Sequence, residues 1–403
     1  MQSFAAWPAP RLAKDPADRT RTGPKAPAPR PHGRGANRRY TSGTNHERGP
    51  EVNLYTGNSM RSRLRAGARR LAVVALSAAW LAGCGGGEPT AQAERTYVIK
   101  FPHVTAPATP KGQAADRFKE LAEARFPGRV EVEVYPSSQL MDDDASLEAL
   151  AFGEIQMIAV SLSKFDRLTH AFQVFDLPFL FPDLEAVEAF QASPAGRELL
   201  GELTDRGFQG LAFWHNGMKQ FTAPRPLHAP EDARGLKFRI MESDVLQAQI
   251  QVIGGSPQKM ALGEVYQALQ TGTVDAQENT WSNNYSSKFY EVQPYLMETN
   301  HGYIGYLVAV NPDFWASLPD DIRSGLEEIV AEVTEWGNAR AEAINQEAKA
   351  QILASGRGEI IELTDEELVA WQEGMRPVWD EFSDDIGQER IDAALASRPG
   401  NNH

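Results

Sequence analysis

One short pattern occurs twice in this chain and limits the folds that it can adopt. Residues 149–156 read ALAFGEIQ and residues 268–275 read ALQTGTVD. Apolar residues at helical spacing precede each copy, which predicts a helix. The glycine suits the left-handed backbone at the end of that helix, and a short apolar strand follows it. The copies are too far apart in the chain for a solenoid repeat. The pattern therefore predicts two similar α/β lobes.

The segments around these copies favour parallel sheets connected by helices. Residues 97–101 and 130–135 alternate between apolar and polar side chains, and residues 111–125 have helical periodicity. This β-α-β order is typical of a parallel sheet. A polar segment follows each repeated strand, at 161–164 and at 277–281. Because ligands bind beyond the carboxyl ends of strands in open α/β sheets, we expect both segments to face one cleft.

Charge is distributed unevenly along the 403 residues, which carry a formal net charge of −14. Residues 1–70 have a net charge of +11, so the remainder has a net charge of −25. An acidic body repels nucleic acid and anionic membrane surfaces, and we expect no nucleic-acid partner. The single cysteine excludes an intramolecular disulfide and a zinc site built on cysteine pairs.

The basic front end has the form of an export signal. Residues 60–83 contain arginines, then a short apolar run and small residues, as in a secretory signal peptide. The LAGC sequence ending at Cys84 resembles a bacterial lipobox, and an ordinary cleavage site with a free thiol is the alternative. Residues 1–59 are then a non-translated or disordered extension, and residues 84–96 a tether. We expect a periplasmic protein whose only membrane attachment is a lipid anchor at Cys84.

No familiar catalytic motif stands out in the sequence. It contains no nucleophile elbow, no HExxH zinc motif, no Walker A loop and no dinucleotide fingerprint. We therefore expect neither an enzyme nor a bound metal or cofactor.

One cation lies in a strand that could serve a binding site. In GLKFRI at 235–240, apolar residues take one face and Lys237 and Arg239 take the other. The forked guanidinium of an arginine suits a carboxylate in bidentate geometry. A surface ion pair is the alternative that these residues leave open.

Six stretches together resemble one protein family. They are SLSKF at 161–165, FDLPFLF at 175–181, FWHNGMKQFTAPRPL at 213–227, DARGLKFRI at 232–240, GGSPQKMALGEVYQALQTGTVDAQEN at 254–279 and HGYIGY at 301–306. From about Val98 onwards the chain resembles the periplasmic solute-binding subunits of tripartite ATP-independent periplasmic (TRAP) transporters, the DctP family. It looks most like the branch that binds four-carbon dicarboxylates.

The resemblance implies an α/β fold of the two-lobed periplasmic binding protein type (type II-like) over residues 97–403. The first lobe would cover about 97–218 with C-terminal returns and the second about 219–310, with a long helix at 319–356 spanning both. The lobes would close around an organic acid and deliver it to the small and large membrane subunits of a permease. Another carboxylate ligand (a sugar acid, keto acid or sialate), an extracytoplasmic enzyme and a sensory accessory are the alternatives.

The resemblance also suggests which side chains bind the ligand. Arg239 would grip a carboxylate, Lys219 would be a second anion partner, Asn279 would supply an amide and Ser161 would follow the first repeated strand. Because a dicarboxylate needs a cation near each end, Arg239 and Lys219, with Ser161 or Lys164, would form the two poles. Further candidates for the ligand site are His103, Trp214, Asn216 and Tyr303.

Overall fold

The computed structural model of the protein describes residues 95–399. The extension at 1–59, the signal peptide at 60–83, Cys84 and most of the tether at 84–96 lie outside the described residues. The expectations about these segments therefore stay predictions.

The described residues form strands in three hydrogen-bonded groups. In chain order the strands are β1 Tyr97–Pro102, β2 Val130–Tyr135, β3 Met157–Ser161, β4 Gln209–Met218, β5 Gln220–Ala223, β6 Lys237–Ile240, β7 Ser256–Lys259, β8 Ala276–Asn279, β9 Tyr295–Glu298, β10 Tyr303–Val310 and β11 Glu359–Glu362. The groups have the orders β1-β2, β3-β10-β4 and β11-β9-β5-β8-β6-β7. The first group is parallel, the second is antiparallel and the third is mixed.

Helices connect and cover these strands. They are α1 Pro110–Arg125, α2 Asp143–Ala151, α3 Leu184–Ala192, α4 Pro194–Glu198, α5 Asp244–Val252, α6 Val265–Thr271, α7 Trp281–Ser286, α8 Pro312–Ser317, α9 Asp320–Ser355, α10 Asp365–Met375, α11 Pro377–Ile386 and α12 Gln388–Ala396.

The β-α-β unit predicted at the start of the body is confirmed. Helix α1 links the parallel strands β1 and β2. It begins where the Thr109 side chain accepts a hydrogen bond from the amide of Gly112, and Pro110 occupies the first turn without losing a needed donor. Phe118 and Ala122, one turn apart, are buried on the same face of the helix.

Both copies of the repeated pattern end their helices as predicted. Gly153 after α2 and Gly272 after α6 have φ angles of +75° and +71°, in the left-handed region that favours glycine. Strands β3 and β8 follow them and lie in different sheets. The two copies therefore belong to separate sheets. We call β1–β4 and β10 the first lobe and the six-stranded sheet the second lobe.

Strand pairing does not follow the lobe boundaries expected from the sequence, which stay a prediction. Strand β10 lies inside the range 219–310 expected for the second lobe, but it hydrogen-bonds with β3 on one side and β4 on the other. Strand β11 follows the long helix, among the expected returns to the first lobe, and instead pairs with β9 of the second lobe. The chain thus passes between the sheets at Lys219, again at residues 299–302, and once more along α9 on the way to β11.

The long helix predicted at 319–356 is α9, and it contacts both lobes as expected. It packs on α1 and β4 of the first lobe and on α7 of the second. Its buried stripe includes Ile322, Ile329 and Val333, and Gly356 ends it in left-handed backbone. Its other faces are charged, and no helix within residues 95–399 has the length and apolarity to cross a membrane.

Candidate functional site

The two repeated strands end at one cavity. Ser161, the last residue of β3, and Asn279, the last residue of β8, both line it. Its empty volume, counting the open mouth, is about 490 Å³. The shared cleft expected from the two polar segments is therefore present. Its lining residues are Val104, Thr105, Asp142, Asp143, Asp144, Ser161, Lys164, Arg239, Met241, Ala261, Leu262, Asn279, Asn283, Ile304 and Tyr306.

Arg239 is the cation that enters the cavity from the second lobe. It is only 3% exposed, and its Nε and Nη2 atoms donate to the carbonyl oxygen of Met260 at 3.0 and 2.7 Å. No described carboxylate lies within 4.0 Å of the guanidinium, and Nη1 has no described hydrogen-bond partner. Burial lowers the pKa of Arg239 to about 10, so the group stays charged at neutral pH. The guanidinium thus lies in the cavity without an ion-pair partner, and the more distant carboxylates of Glu278, Asp143 and Glu264 offset only part of the effect of burial on its pKa.

The Asn279 amide is held in place beside this arginine. Its Oδ1 accepts from Asn283 Nδ2 at 2.7 Å and from the amide of Thr280 at 3.2 Å, while its Nδ2 donates to Gln277 Oε1 at 3.3 Å. Thr280 in turn caps α7 through its side chain. A polar group fixed in this way loses little entropy when it meets a ligand. Asn283 itself lines the cavity and was not expected from the sequence.

Ser161 and Lys164 reach the cavity from the first lobe. The Ser161 side chain is buried and makes no hydrogen bond with a described residue, so its hydroxyl is available to a ligand. Lys164 Nζ lies 2.7 Å from Asp144 Oδ2, and the Asp144 side chain is 53% exposed. The charge of Lys164 is therefore already partly compensated at the mouth of the cavity.

Acidic and aromatic groups complete the wall. Asp143 is 9% exposed. Burial raises the pKa of its carboxyl, although the nearby Lys111 and Lys164 act to lower it. Tyr306 on β10 lines the cavity and stands opposite Ser161 in the register. Sequence reasoning missed both residues, although Tyr306 lies in the HGYIGY stretch.

Lys219 does not line the cavity. Its ammonium forms a buried ion pair with Glu278 at 2.8 Å, and the other oxygen of that carboxylate lies 2.8 Å from His301 Nε2. Although burial opposes it, Lys219 and the hydrogen bond with His301 lower the pKa of Glu278 to about 2. The structure therefore places Lys219 in an internal ion pair at the first crossing between the lobes, away from the pole expected for a ligand.

Two further predicted contacts lie in the core of the first lobe. The Trp214 indole donates to Thr334 on α9 at 2.9 Å and packs on Phe101 with ring centroids 6.0 Å apart. The Tyr303 hydroxyl lies 3.0 Å from His215 Nδ1, in a cluster of buried aromatic residues. Neither residue lines the cavity, whereas Tyr306 does.

His103 and Asn216 are buried near the cavity without lining it. His103 Nδ1 lies 3.4 Å from Thr105 Oγ1, and burial together with Lys111 lowers the pKa of the imidazole to about 3. His103 is therefore neutral at physiological pH. The Asn216 Oδ1 atom accepts from Ser282 Oγ at 2.9 Å, which ties β4 to α7. Within residues 95–399 no cluster of three His, Cys, Asp or Glu side chains could hold a metal ion.

Comparison with known proteins gives consistent matches over the described body. The family model for bacterial extracellular solute-binding proteins, family 7 (DctP), matches residues 101–385. The C4-dicarboxylate-binding periplasmic protein DctP of Shewanella loihica is 50% identical over 299 residues, which cover 74% of this chain and 89% of that protein.

Solved structures of similar proteins contain four-carbon acids. A TRAP periplasmic solute-binding protein from Shewanella oneidensis with bound succinate is 49% identical, with a TM-score of 0.74 over 75% of this chain and 99% of that one. A TRAP periplasmic solute-binding protein from Pseudomonas aeruginosa with bound L-malate is 48% identical, with a TM-score of 0.69 over 70% of this chain and 99% of that one.

Proposed function

The chain belongs to the bacterial extracellular solute-binding proteins of family 7, the DctP family of TRAP transporters, and we propose that it captures four-carbon dicarboxylates in the periplasm. The family consists of binding proteins and not of enzymes. Succinate, fumarate and malate are the expected ligands, and the small and large membrane subunits of a TRAP permease are the expected recipients.

The burial of the Arg239 guanidinium without an ion-pair partner is the observation that supports this function most strongly. A buried cation without a carboxylate partner is unfavourable unless something else matches it. A ligand carboxylate can meet Nη1 and the free hydrogen of Nη2 as a bidentate pair. The fixed amide of Asn279 and the free hydroxyl of Ser161 provide the hydrogen bonds that a buried carboxylate needs.

The position of the cavity supports a coupling of binding to closure. Ser161 comes from the first lobe, whereas Arg239 and Asn279 come from the second. A ligand that touches all three makes its full set of contacts only when the lobes are together. Such a ligand shifts the population towards the closed state by its differential affinity for the two states. Closure then presents one combined surface to a permease.

Export and attachment belong to the same proposal. The signal peptide at 60–83 delivers the chain across the inner membrane, and Cys84 carries the lipid anchor. Replacing Cys84 with serine should release the protein into the soluble periplasmic fraction, while the parent stays with the membranes. Soluble behaviour of the parent protein would leave the ordinary cleavage site as the correct interpretation.

A thermal-shift screen of residues 95–403 tests the ligand class directly. The panel contains succinate, fumarate, malate, butyrate, a sugar acid and sialate. A ligand at 100 times its dissociation constant stabilises the folded state by about 2.7 kcal/mol, which a melting curve resolves. Shifts with the four-carbon dicarboxylates alone support the proposal. A shift with the sugar acid or sialate alone changes the ligand within the family, and no shift after refolding refutes a carboxylate-binding function.

A further inference from the structure

A dicarboxylate brings two negative charges into the cavity. Of the cations expected to bind them, only one lines the cavity without an ion pair to a protein carboxylate. Arg239 can take the first carboxylate. Lys219 is committed to Glu278 outside the cavity, and Lys164 is paired with Asp144 at its mouth. The second carboxylate therefore needs another positive charge, because an unpaired buried carboxylate is very unfavourable.

Lys111 is a buried cation that lacks a carboxylate partner. It lies in the first turn of α1, is 0% exposed, and its Nζ donates to the carbonyl oxygen of Ala159 at 3.0 Å. Among the described residues, no carboxylate lies within 4.0 Å of this ammonium. Nζ also lies 3.8 Å from the centroid of the Tyr306 ring. The ammonium is thus held by a carbonyl dipole and an aromatic face, without a counter-ion.

These contacts place the ammonium directly behind the first-lobe wall of the cavity, which Lys111 does not itself line. Ala159 lies on β3, two positions before Ser161, and Tyr306 stands opposite Ser161 on β10. Both Ser161 and Tyr306 line the cavity. Arg239 approaches the same cavity from β6 in the other sheet. The two buried cations without carboxylate partners therefore belong to opposite lobes.

A buried lysine ammonium without an ion pair is unfavourable, so the presence of Lys111 at this position calls for a functional explanation. Burial lowers the pKa of Lys111 to about 8, and only Asp143 attracts it enough to oppose that effect. The charged and titratable groups that face it are Asp143 on α2, His103 after β1 and Tyr306 on β10. His103 is neutral, and the Tyr306 phenol does not ionise near neutral pH because burial raises its pKa. A methionine could fill the same space without the unfavourable buried charge.

We propose that Lys111 is the second cationic pole of the ligand site, and that the distal carboxylate of the ligand is its missing counter-ion. This inference rests on the proposed function and specifies the residue that distinguishes a dicarboxylate from a monocarboxylate. Lys111 acts from behind the wall formed by Tyr306 and Ser161, so it stabilises the ligand mainly through its charge in a poorly screened interior.

The test compares succinate with succinamate, its half-amide, which keeps the shape and loses one charge. Calorimetric titrations use the parent, Lys111→Met, and Lys119→Met as the matched control on the same helix. Lys119 is partly exposed and pairs with Glu123, so its replacement should leave both affinities unchanged. In Lys111→Met, succinate affinity should fall at least 30-fold, about the lower limit for truncating a buried charge pair, while succinamate affinity changes far less.

The results separate a ligand role from a structural one. Loss of preference for succinate over succinamate, together with an unchanged or higher melting temperature of the ligand-free variant, supports the proposal. Equal weakening of both ligands, or succinate affinity within threefold of the parent, overturns it. Failure of the parent to bind any dicarboxylate refutes the proposed function itself.

The parent protein alone provides a second test if Lys111→Met does not fold. The preference for succinate over succinamate should fall as the pH rises from 7 to 9, because Lys111 loses its charge near pH 8. Over that range Arg239 stays mostly charged, because its pKa is about 10. A preference that does not change with pH across this interval overturns the proposal.

Discussion

Replacing Arg239 with methionine should remove dicarboxylate binding and leave the fold intact. Methionine matches most of the length of the arginine stem and can fill its buried space. The guanidinium has no carboxylate partner among the described residues, and its described hydrogen bonds go only to the Met260 carbonyl. The variant therefore removes the proposed ligand contact without breaking an ion pair within the protein.

The expected loss of affinity follows from the burial of the site. Truncating one partner of a buried charge pair leaves the other without compensation, at a cost of about 3–5 kcal/mol. Since 1.36 kcal/mol corresponds to a factor of ten, the dissociation constant for succinate should rise roughly a hundredfold to several thousandfold. The effect on stability should be much smaller.

Two opposing contributions determine that stability change. Burial lowers the pKa of Arg239 to about 10, so keeping the charged form in the folded state is unfavourable. That shift corresponds to about 3 kcal/mol, which the neutral variant regains. Each lost hydrogen bond to Met260 removes about 1 kcal/mol, and the carbonyl loses its donors. The free energy of unfolding should therefore change by less than about 2 kcal/mol.

The assay combines succinate calorimetry with urea unfolding of the same samples. Arg357→Met serves as the control, because that arginine is 65% exposed and pairs loosely with Glu291 at 3.7 Å. The control should match the parent in both measurements. Succinate affinity of Arg239→Met within threefold of the parent would refute the ligand role. A loss of more than about 4 kcal/mol in unfolding free energy would make the arginine a structural residue instead.

Three further substitutions test other parts of the structure. Glu278→Gln should lower the free energy of unfolding by about 3–5 kcal/mol, because it leaves the Lys219 ammonium buried without a counter-charge; a urea titration that finds less than 1 kcal/mol would contradict this. Burial raises the pKa of the Asp176 carboxyl to about 6. Between about pH 4 and 6 the folded state therefore holds a proton that the unfolded state has lost, and this carboxyl lowers the free energy of unfolding as the pH rises. The melting temperature of Asp176→Asn relative to the parent should therefore increase over that interval, and a constant difference would argue against it. Lys164→Met should weaken succinate binding less than tenfold, because Asp144 already compensates this lysine; a hundredfold loss in calorimetry would make Lys164 the second pole.

Local sequence patterns were enough to predict helix ends, the long helix and the edge of the sheets at which a ligand would bind. The glycines that end α2 and α6 were predictable because only a residue without a Cβ adopts left-handed backbone cheaply. The long helix α9 was predictable because its apolar stripe recurs over many turns. The same reasoning placed the polar segments 161–164 and 277–281 after the repeated strands, where ligands of α/β sheets bind. All of these signals depend on residues that are close together in the chain.

Tertiary structure decided which side chains meet in the cleft. Every residue of β10 is buried, so alternation does not show whether Tyr303 or Tyr306 faces the cavity. Pairing of β10 with both β3 and β4 resolves this and also moves the strand to the first lobe.

The charges were equally undetermined by the sequence. Lys219 and Lys111 are both lysines near family motifs or helix starts, and their roles depend on partners far away in the chain. Glu278 neutralises Lys219, whereas Lys111 finds only the carbonyl of Ala159 and the ring of Tyr306. Whether a buried cation is available to a ligand depends on its neighbours in space. The interior screens charge poorly, so a carboxylate next to the cation forms an ion pair with it.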